Sequence, residues 1–355
     1  MGSARLRLGI VGCGGITAFA HVPGLFVRDD IEIAYLCDKN IRRAQIIKER
    51  FRLENARCVE EYHRILEDST VKAVIVASWP SNHVEVVLEV IESGRHVLVQ
   101  KPLTLMASSA EELLNRVRQS RSNILALPLI QGIPSFVNLR SLIIGNDLGE
   151  ISFARIRTTI PGPDDYYADV RQFFLESPEV EPPYRQDLFA LQAGSIADMG
   201  PYALSAFYYL FGPGTLRFAH SAPALRDRCT LLVLDVNGGT GGVNDKLFCS
   251  IETGWNQVRG REVCTVYGSR ATACIESTGN LVVLDRGAGE RVIDQREISR
   301  TPLPLAPLDA QANWIDFILS GREAGFHETV ESAVWVSKTI AEVLASRHAA
   351  VEASR

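Results

Sequence analysis

Short apolar runs alternate with longer stretches of helical periodicity from Leu6 to about Leu129. That alternation marks a parallel sheet with helices on both faces. It predicts strands at Leu6–Val11, Ile31–Cys37, Ala73–Ala77, His96–Gln100 and Ile124–Leu129, separated by helices near Arg42–Arg52, His83–Ser93 and Ser108–Arg121. Runs such as VKAVIVAS are apolar almost without a break, as a strand covered on both faces must be. Beyond Gln131 the pattern changes. A periodic helix around Phe136–Ile144 is followed by strands expected at Ile151–Ile160, Thr230–Asn237, Lys246–Thr253, Glu262–Tyr267, Thr272–Ser277 and Leu281–Asp285. Hairpin signals at Asn237-Gly238-Gly239 and Tyr267-Gly268-Ser269 make this second sheet antiparallel. Helices return at Pro307–Leu319 and Glu328–Ser346, and the segment Pro161–Arg185, rich in Pro, Tyr and Asp, reads as a long loop.

The 355 residues, 46% hydrophobic and 22% charged, suit two soluble domains better than one core, with a boundary expected between 129 and 130. A net charge of −5 gives no general attraction to nucleic acid or to an anionic membrane, so a small molecule is the expected partner. The seven cysteines are odd in number, scattered and without a CxxC pair, so neither a disulfide framework nor a metal site is expected. A reducing cytoplasm fits them. Met1-Gly2-Ser3 leads into charged residues and a short strand, which predicts neither a signal segment nor a membrane span.

Chemistry first shows in LGIVGCGGITAFAH, where Gly12, Gly14 and Gly15 follow the first strand and precede a helix. Gly12 permits a tight turn, and Gly14 lets the backbone approach a pyrophosphate held at the helix N-terminus. Thr17 takes the third glycine position, a departure expected to strain the helix–strand packing. Asp38 ends the second strand, about 20 residues beyond the turn, where a carboxylate accepts hydrogen bonds from ribose hydroxyls and repels a 2′-phosphate. NAD is therefore the expected cofactor. Lys39, Arg42 and Arg43 stand close by as acceptors for a 2′-phosphate, which keeps NADP open. In SWPSNHVEVV, Trp79-Pro80 breaks a strand, Asn82 is read as the cap of the next helix, and His83 falls in its first turn, all at the ligand crevice of a doubly wound sheet. RHVLVQKPLT ends another core strand on Gln100-Lys101-Pro102, and an ammonium there would stand near a nicotinamide and stabilise a substrate oxyanion.

Five motifs taken together resemble the Gfo/Idh/MocA family of NAD(P)-dependent sugar oxidoreductases: GCGGI, CD, WPSNH, VQKP and AGSIADMGPYALSAFYYLFG, in family order. The resemblance implies an N-terminal Rossmann domain over residues 1–129 and, over 130–355, an α+β domain with a large, mostly antiparallel open sheet for substrate binding and oligomerisation, the last helices packing back on the first domain. It implies a dinucleotide lined by Gly12, Gly14, Gly15, Ile16, Asp38, Lys39, Pro80, Asn82, His83, Gln100 and Lys101. It makes Lys101 the catalytic lysine and Lys101-Pro102 a cis peptide. Gln100 stands where the family usually has Glu, which keeps hydrogen bonding, removes a charge and should lower the Lys101 pKa.

Asp198 and Tyr202 are four residues apart and would share a helix face. In the family this pair is commonly Asp and His. Tyr202 then becomes the acid/base that exchanges the hydroxyl proton, while Lys101 and Asp198 position and polarise the oxygen. Arg185, in the pair Tyr184-Arg185, is expected to hold substrate hydroxyls or a phosphate, and Tyr166, in the run Asp164-Asp165-Tyr166-Tyr167, to pack on a sugar ring. Arg155 and Arg157 share one strand face and read as sheet-surface or interface residues. The implied substrate is a sugar, cyclitol or nucleotide-linked sugar, and the implied assembly a homodimer or homotetramer through the second sheet. Two alternatives remain: an enzyme for a non-sugar diol or ketone, and a non-catalytic NAD-binding regulator.

Overall fold

The computed structural model describes residues 5–177, 193–221, 229–236, 247–255, 262–285, 289–294 and 307–353. Two compact units emerge. The first gathers Met1–Leu129, Asp164–Pro183 and Pro307–Ser337; the second holds Ile130–Pro163, Tyr184–Ala306 and Lys338–Arg355.

In the first unit, β1 (Leu6–Val11), β2 (Ile31–Cys37), β3 (Arg57–Val59), β4 (Ala73–Val76), β5 (His96–Val99) and β6 (Ile124–Ala126) form an all-parallel sheet in the order β3-β2-β1-β4-β5-β6. Strand order reverses beside β1. A crevice therefore opens outside the carboxyl ends of β1 and β4, where such sheets hold ligands. Side chains alternate between two cores, as strand geometry requires. One takes Leu6, Leu8, Ile10, Ile75 and Leu98, the other Val11, Val74, Val76, Val97 and Val99. The second core is covered by α4 (Pro80–Glu92), α5 (Ala107–Val117) and the first turns of α11 (His327–Ala353), through Val87, Leu113 and Val330.

The first core is completed by α10 (Pro307–Leu319), which inserts Trp314 and Ile315, and by α7 (Pro163–Phe174), which inserts Val170 and Phe174. Burial of each such side chain is worth roughly 2–3 kcal/mol. Residues 163–174 are thus a helix where a loop was expected. Pro163 opens the helix at a position where its missing N–H costs nothing, Asp164 and Asp165 suit the positive end of the dipole, and the aromatic positions recur on one face. Two short elements were not anticipated, β3 and α3 (His63–Glu67). The α4 helix starts at Pro80 with Trp79 at its cap; Asn82 lies inside the first turn and its N–H donates to Trp79 O, so it is not the cap.

The second unit carries an eight-stranded sheet in the order β14-β13-β12-β11-β7-β10-β9-β8, running from β7 (Ile151–Thr159) through β8 (Gly214–Ser221), β9 (Cys229–Val236), β10 (Phe248–Gly254), β11 (Glu262–Gly268), β12 (Ala271–Glu276) and β13 (Leu281–Asp285) to β14 (Gly289–Asp294). All pairs are antiparallel except β7 with β10, which is parallel, and β8 and β14 were not anticipated. The expected hairpin at Tyr267-Gly268-Ser269 joins β11 to β12, with Tyr267 opposite Thr272. The one at Asn237-Gly238-Gly239 lies outside the described residues. The helices α6 (Pro134–Ile144), α8 (Gly194–Asp198) and α9 (Gly200–Phe211) also belong to this unit. Among the described residues, no helix is long and apolar enough to cross a membrane.

Candidate active site

Gly12 adopts φ +97°, and its N–H donates to Cys37 O at 2.8 Å, tying the turn after β1 to the end of β2. A methyl group on Gly12 would lie 2.4 Å from Ala77 O and 2.5 Å from Ser78 N, so only glycine fits. Gly14 differs: among the described residues, nothing lies within 4 Å of where its Cβ would be. Gly15 is required by packing instead, because a Cβ there would meet Tyr166 Oη and Val170 Cγ2 of α7, each at 2.5 Å. Thr17 is fully buried and donates its hydroxyl to Gly12 O at 2.6 Å, and residues Thr17–His21 form a π-helical turn before α1 (Val22–Phe26). The strain expected at Thr17 is thus accommodated by a widened turn, a feature frequent at functional sites.

Asp38 closes the other side of the turn. Its Oδ2 accepts from Cys13 N–H at 2.7 Å and its Oδ1 from Asn40 N–H at 2.8 Å. Each carboxylate oxygen has a further lone-pair direction for a ribose hydroxyl. At the end of β4 the Ser78 hydroxyl is buried and, among the described residues, has no hydrogen-bond partner. An orphaned hydroxyl beside Gly12, an open space at Gly14 and a carboxylate at the end of β2 together fit a dinucleotide along this edge. His83 is buried: Nδ1 lies 2.9 Å from Pro102 O and Nε2 2.9 Å from Ser78 O, so the ring sits between the loops after β5 and β4, its one N–H donating to one of these two carbonyls. Burial lowers its pKa, while both carbonyls oppose that shift.

Lys101 stands half-buried just past β5, and its bond to Pro102 is cis. The side chain of Gln100 is turned inward. Its Oε1 accepts from Lys101 N–H at 3.2 Å, and its Nε2 donates to His21 Nε2 at 2.9 Å. His21 therefore carries its proton on Nδ1, which donates to Gln311 Oε1 at 2.6 Å, and Gln311 Nε2 donates back to His21 O at 3.2 Å. This chain of neutral groups explains the amide at position 100: a carboxylate would need a protonated His21 in a fully buried place. Burial pushes the His21 pKa down to about 4, against the pull of its bond to Gln311.

That shift has a sign. Unfolded, the ring takes a proton near pH 6.5, whereas the folded protein refuses it down to about pH 4, so stability falls as pH drops through this window. The His21 contribution amounts to about 2 kcal/mol between about pH 7 and pH 5. Burial lowers the pKa of His83 and His96 as well, so they act in the same direction. Denaturant unfolding of H21N is expected to show a correspondingly shallower loss of stability with acid; an unchanged slope would contradict the buried neutral ring.

In the second unit, Asp198 ends α8 and Tyr202 lies in the first turn of α9, with Met199 shared between the helices and Pro201 at the second helix start. The four-residue spacing is carried by two abutting helices rather than one. Trp255, just past β10, donates its indole N–H to Asp198 Oδ2 at 2.9 Å, and Trp255, Met199 and Tyr202 form a small cluster against Ile160. Thr158 Oγ1 donates to Met199 O at 3.0 Å and fixes the junction to β7. Tyr202 is 5% exposed. Trp255 escaped the sequence reading because nothing in the chain ties a tryptophan to a carboxylate 57 positions earlier.

The expected residues thus fall into two groups. Gly12, Gly14, Gly15, Ile16, Asp38, Lys39, Pro80, Asn82, His83, Gln100 and Lys101 belong to the first unit; Asp198 and Tyr202 belong to the second. Arg185 lies outside the described residues. Tyr166, expected in a sugar-binding loop, is helical and stands against Gly15 and edge-on to Phe19, with ring centroids 6.0 Å apart.

Comparison with known proteins agrees with the Rossmann architecture of the first unit. Residues 6–126 match the sequence profile of the GFO_IDH_MocA oxidoreductase family, described as an NAD-binding Rossmann fold. A curated dTDP-3,4-didehydro-2,6-dideoxy-alpha-D-glucose 3-reductase from Saccharopolyspora spinosa is 29% identical over 244 residues, 66% of each chain. The chain spans under two thirds of the length of the first curated relatives it matches. In fold it is similar to a 3-ketoreductase from Actinomadura kijaniata solved with TDP-benzene and NADP (TM-score 0.70, 20% identity, 96% of each chain). It is also similar to an oxidoreductase from Agrobacterium radiobacter solved with NAD+, L-tartaric acid and magnesium (TM-score 0.73, 15% identity, 96% of this chain and 97% of that one). Over residues 6–126, about a third of its length, the chain is thus similar to the Gfo/Idh/MocA oxidoreductase family.

Proposed function

We propose that the chain is an NAD(P)-dependent oxidoreductase acting on the carbinol or carbonyl carbon of a sugar, cyclitol or nucleotide-linked sugar. The observation that carries this reading is Lys101, an ammonium at the carboxyl edge of the nucleotide-binding sheet, next to β4 and two strands from the glycine turn after β1. The reductase similarity to a protein named for a dTDP-linked sugar supports the substrate class. When bound, the dinucleotide supplies hydride transfer at its nicotinamide C4. The protein's own work is proton and charge management. Lys101 polarises the substrate oxygen and stabilises negative charge on it. Tyr202 exchanges the hydroxyl proton. Asp198, held by the Trp255 indole, orients the substrate oxygen, and Arg185 and Tyr166 remain proposed substrate contacts. An assembly through the second sheet belongs to the same reading: across three adjacent strands Phe153 stacks on Tyr267 at 5.6 Å and meets Phe248 at a tilt at 5.1 Å, beside exposed Leu231 and the Arg157–Glu252 pair. Such an apolar face is what a second copy covers.

The test is purified protein incubated with each nicotinamide cofactor and a panel of sugars, cyclitols, nucleotide-linked ketosugars and non-sugar diols, followed at the reduced-nicotinamide absorbance. Turnover confined to carbohydrate members is the expected result. Turnover only on non-sugar diols would move the substrate class, and cofactor binding without turnover on any member would replace the enzyme with a sensor.

A further inference from the structure

Arg43 occupies the first turn of α2 (Ile41–Arg50), three residues after the helix cap at Asn40 and five after Asp38. In this fold an arginine near the end of β2 is the group that receives an adenosine 2′-phosphate. Here it is already engaged. Arg43 Nε donates to Glu176 Oε1 at 2.6 Å and Nη2 to Oε2 at 2.8 Å, a two-pronged pair whose side chains are only 14% and 15% exposed. The guanidinium also lies over the Phe174 ring, 5.1 Å from its centroid. Asp38 adds a second negative charge within range of the same arginine.

Glu176 is not a wandering surface side chain. It is delivered by α7, whose Tyr166 and Val170 abut Gly15 of the nucleotide turn, whose Phe173 packs edge-on to Phe19 at 5.4 Å beneath the Arg50 guanidinium, and whose Phe174 is buried. After the helix, Leu175 takes φ +57° and Glu176 N–H donates to Arg171 O at 3.0 Å, a left-handed turn that swings the carboxylate back onto Arg43. Two independent anchors therefore hold the acid in place. Arg42 is turned to Glu49 at 3.7 Å, and Lys39 is exposed, where water and salt screen its charge.

We infer that Glu176 determines which dinucleotide this site accepts: by engaging Nε and Nη2 of Arg43 in a two-pronged pair it neutralises the cation a 2′-phosphate requires, and so makes the pocket selective for NAD(H). Two carboxylates and one committed guanidinium leave net negative charge where the extra phosphate would sit. A 2′-hydroxyl meets only Asp38 and is accepted. The inference rests on dinucleotide binding by the first unit and goes further by assigning the choice between the two cofactors to a residue outside the nucleotide-binding motif.

Fluorescence titration of NADH and NADPH gives the test, with the ratio of the two dissociation constants as readout. The wild-type chain is expected to bind NADH at least about 30-fold more tightly, a difference of about 2 kcal/mol. E176Q should narrow that ratio about tenfold by tightening NADPH alone, and the gain should vanish in the double variant R43Q/E176Q. R43Q alone removes the one cation and leaves both carboxylates, so it should not narrow the ratio, and the wild-type ratio itself decides the matter if E176Q fails to fold. A narrowed ratio in R43Q, an unchanged ratio in E176Q or equal binding by the wild type would each overturn the assignment. Binding of neither nucleotide by the wild type would remove the dinucleotide reading itself, and this inference with it.

Discussion

Turnover in K101A is expected to fall by about 10³-fold or more, with NADH affinity within a few-fold of wild type. Lys101 would place a positive charge where negative charge develops on the substrate oxygen. Lys101 follows directly on β5, its own N–H is held by Gln100 Oε1, and the carbonyl of its neighbour Pro102 lies against the buried His83 ring. Backbone on both sides is thus anchored, so truncating the side chain removes an ammonium without moving the strand end. A neutral methyl cannot stabilise an alkoxide. K101R tests geometry separately from charge, since the planar guanidinium keeps the charge but not the compact donor, and it should recover little. Steady-state rates on the best substrate from the panel, with NADH titration as control, provide the measurement. A K101A rate within tenfold of wild type would dismiss the lysine from the chemistry.

The second large effect separates two glycines of one turn. Gly12→Ala forces a side chain onto φ +97° and drives its Cβ into Ala77 O, which is strand-end backbone and cannot give way. Strain and overpacking together should cost about 3–5 kcal/mol, enough to unfold a marginal domain. Gly14→Ala should leave stability within about 0.5 kcal/mol of wild type, because its Cβ enters open space. Yet that space is where the pyrophosphate must approach, so G14A is expected to bind NADH at least about tenfold more weakly. Denaturant melts and nucleotide titrations of the two variants check both halves. A stable G12A, or a G14A with undiminished affinity, would show that the turn serves another purpose.

Much of this was legible in the chain, and the failures have physical causes. The bounds of β1 and β2 follow directly from their apolar runs, because strands buried on both faces leave an unmistakable composition. The strands β3 and β8 were missed for the opposite reason: Arg57 and most of Gly214–Ser221 are at least partly exposed, so no apolar run announces them. The helix α7 was hidden by its own start signals, since Pro161, Gly162, Pro163, Asp164 and Asp165 suit a loop as well as a helix N-terminus. Its period was present at Tyr166, Val170 and Phe173–Phe174. That the glycine turn, Asp38 and Lys101 lie just past strand ends could be read from the chain, because the apolar runs before them mark where β1, β2 and β5 stop. The partners of Gln100, Arg43 and Asp198 could not, as each pairing joins residues 57 to 133 positions apart, a separation at which only the folded chain brings them into contact.

The first unit is assembled from three separate lengths of chain, the last ending at Ser337. Until Trp314 and Ile315 arrive, one side of the parallel sheet lacks part of its cover. During synthesis from the ribosome, the nucleotide-binding half therefore cannot mature ahead of its companion: most of the second unit must already have emerged before the first can close its core.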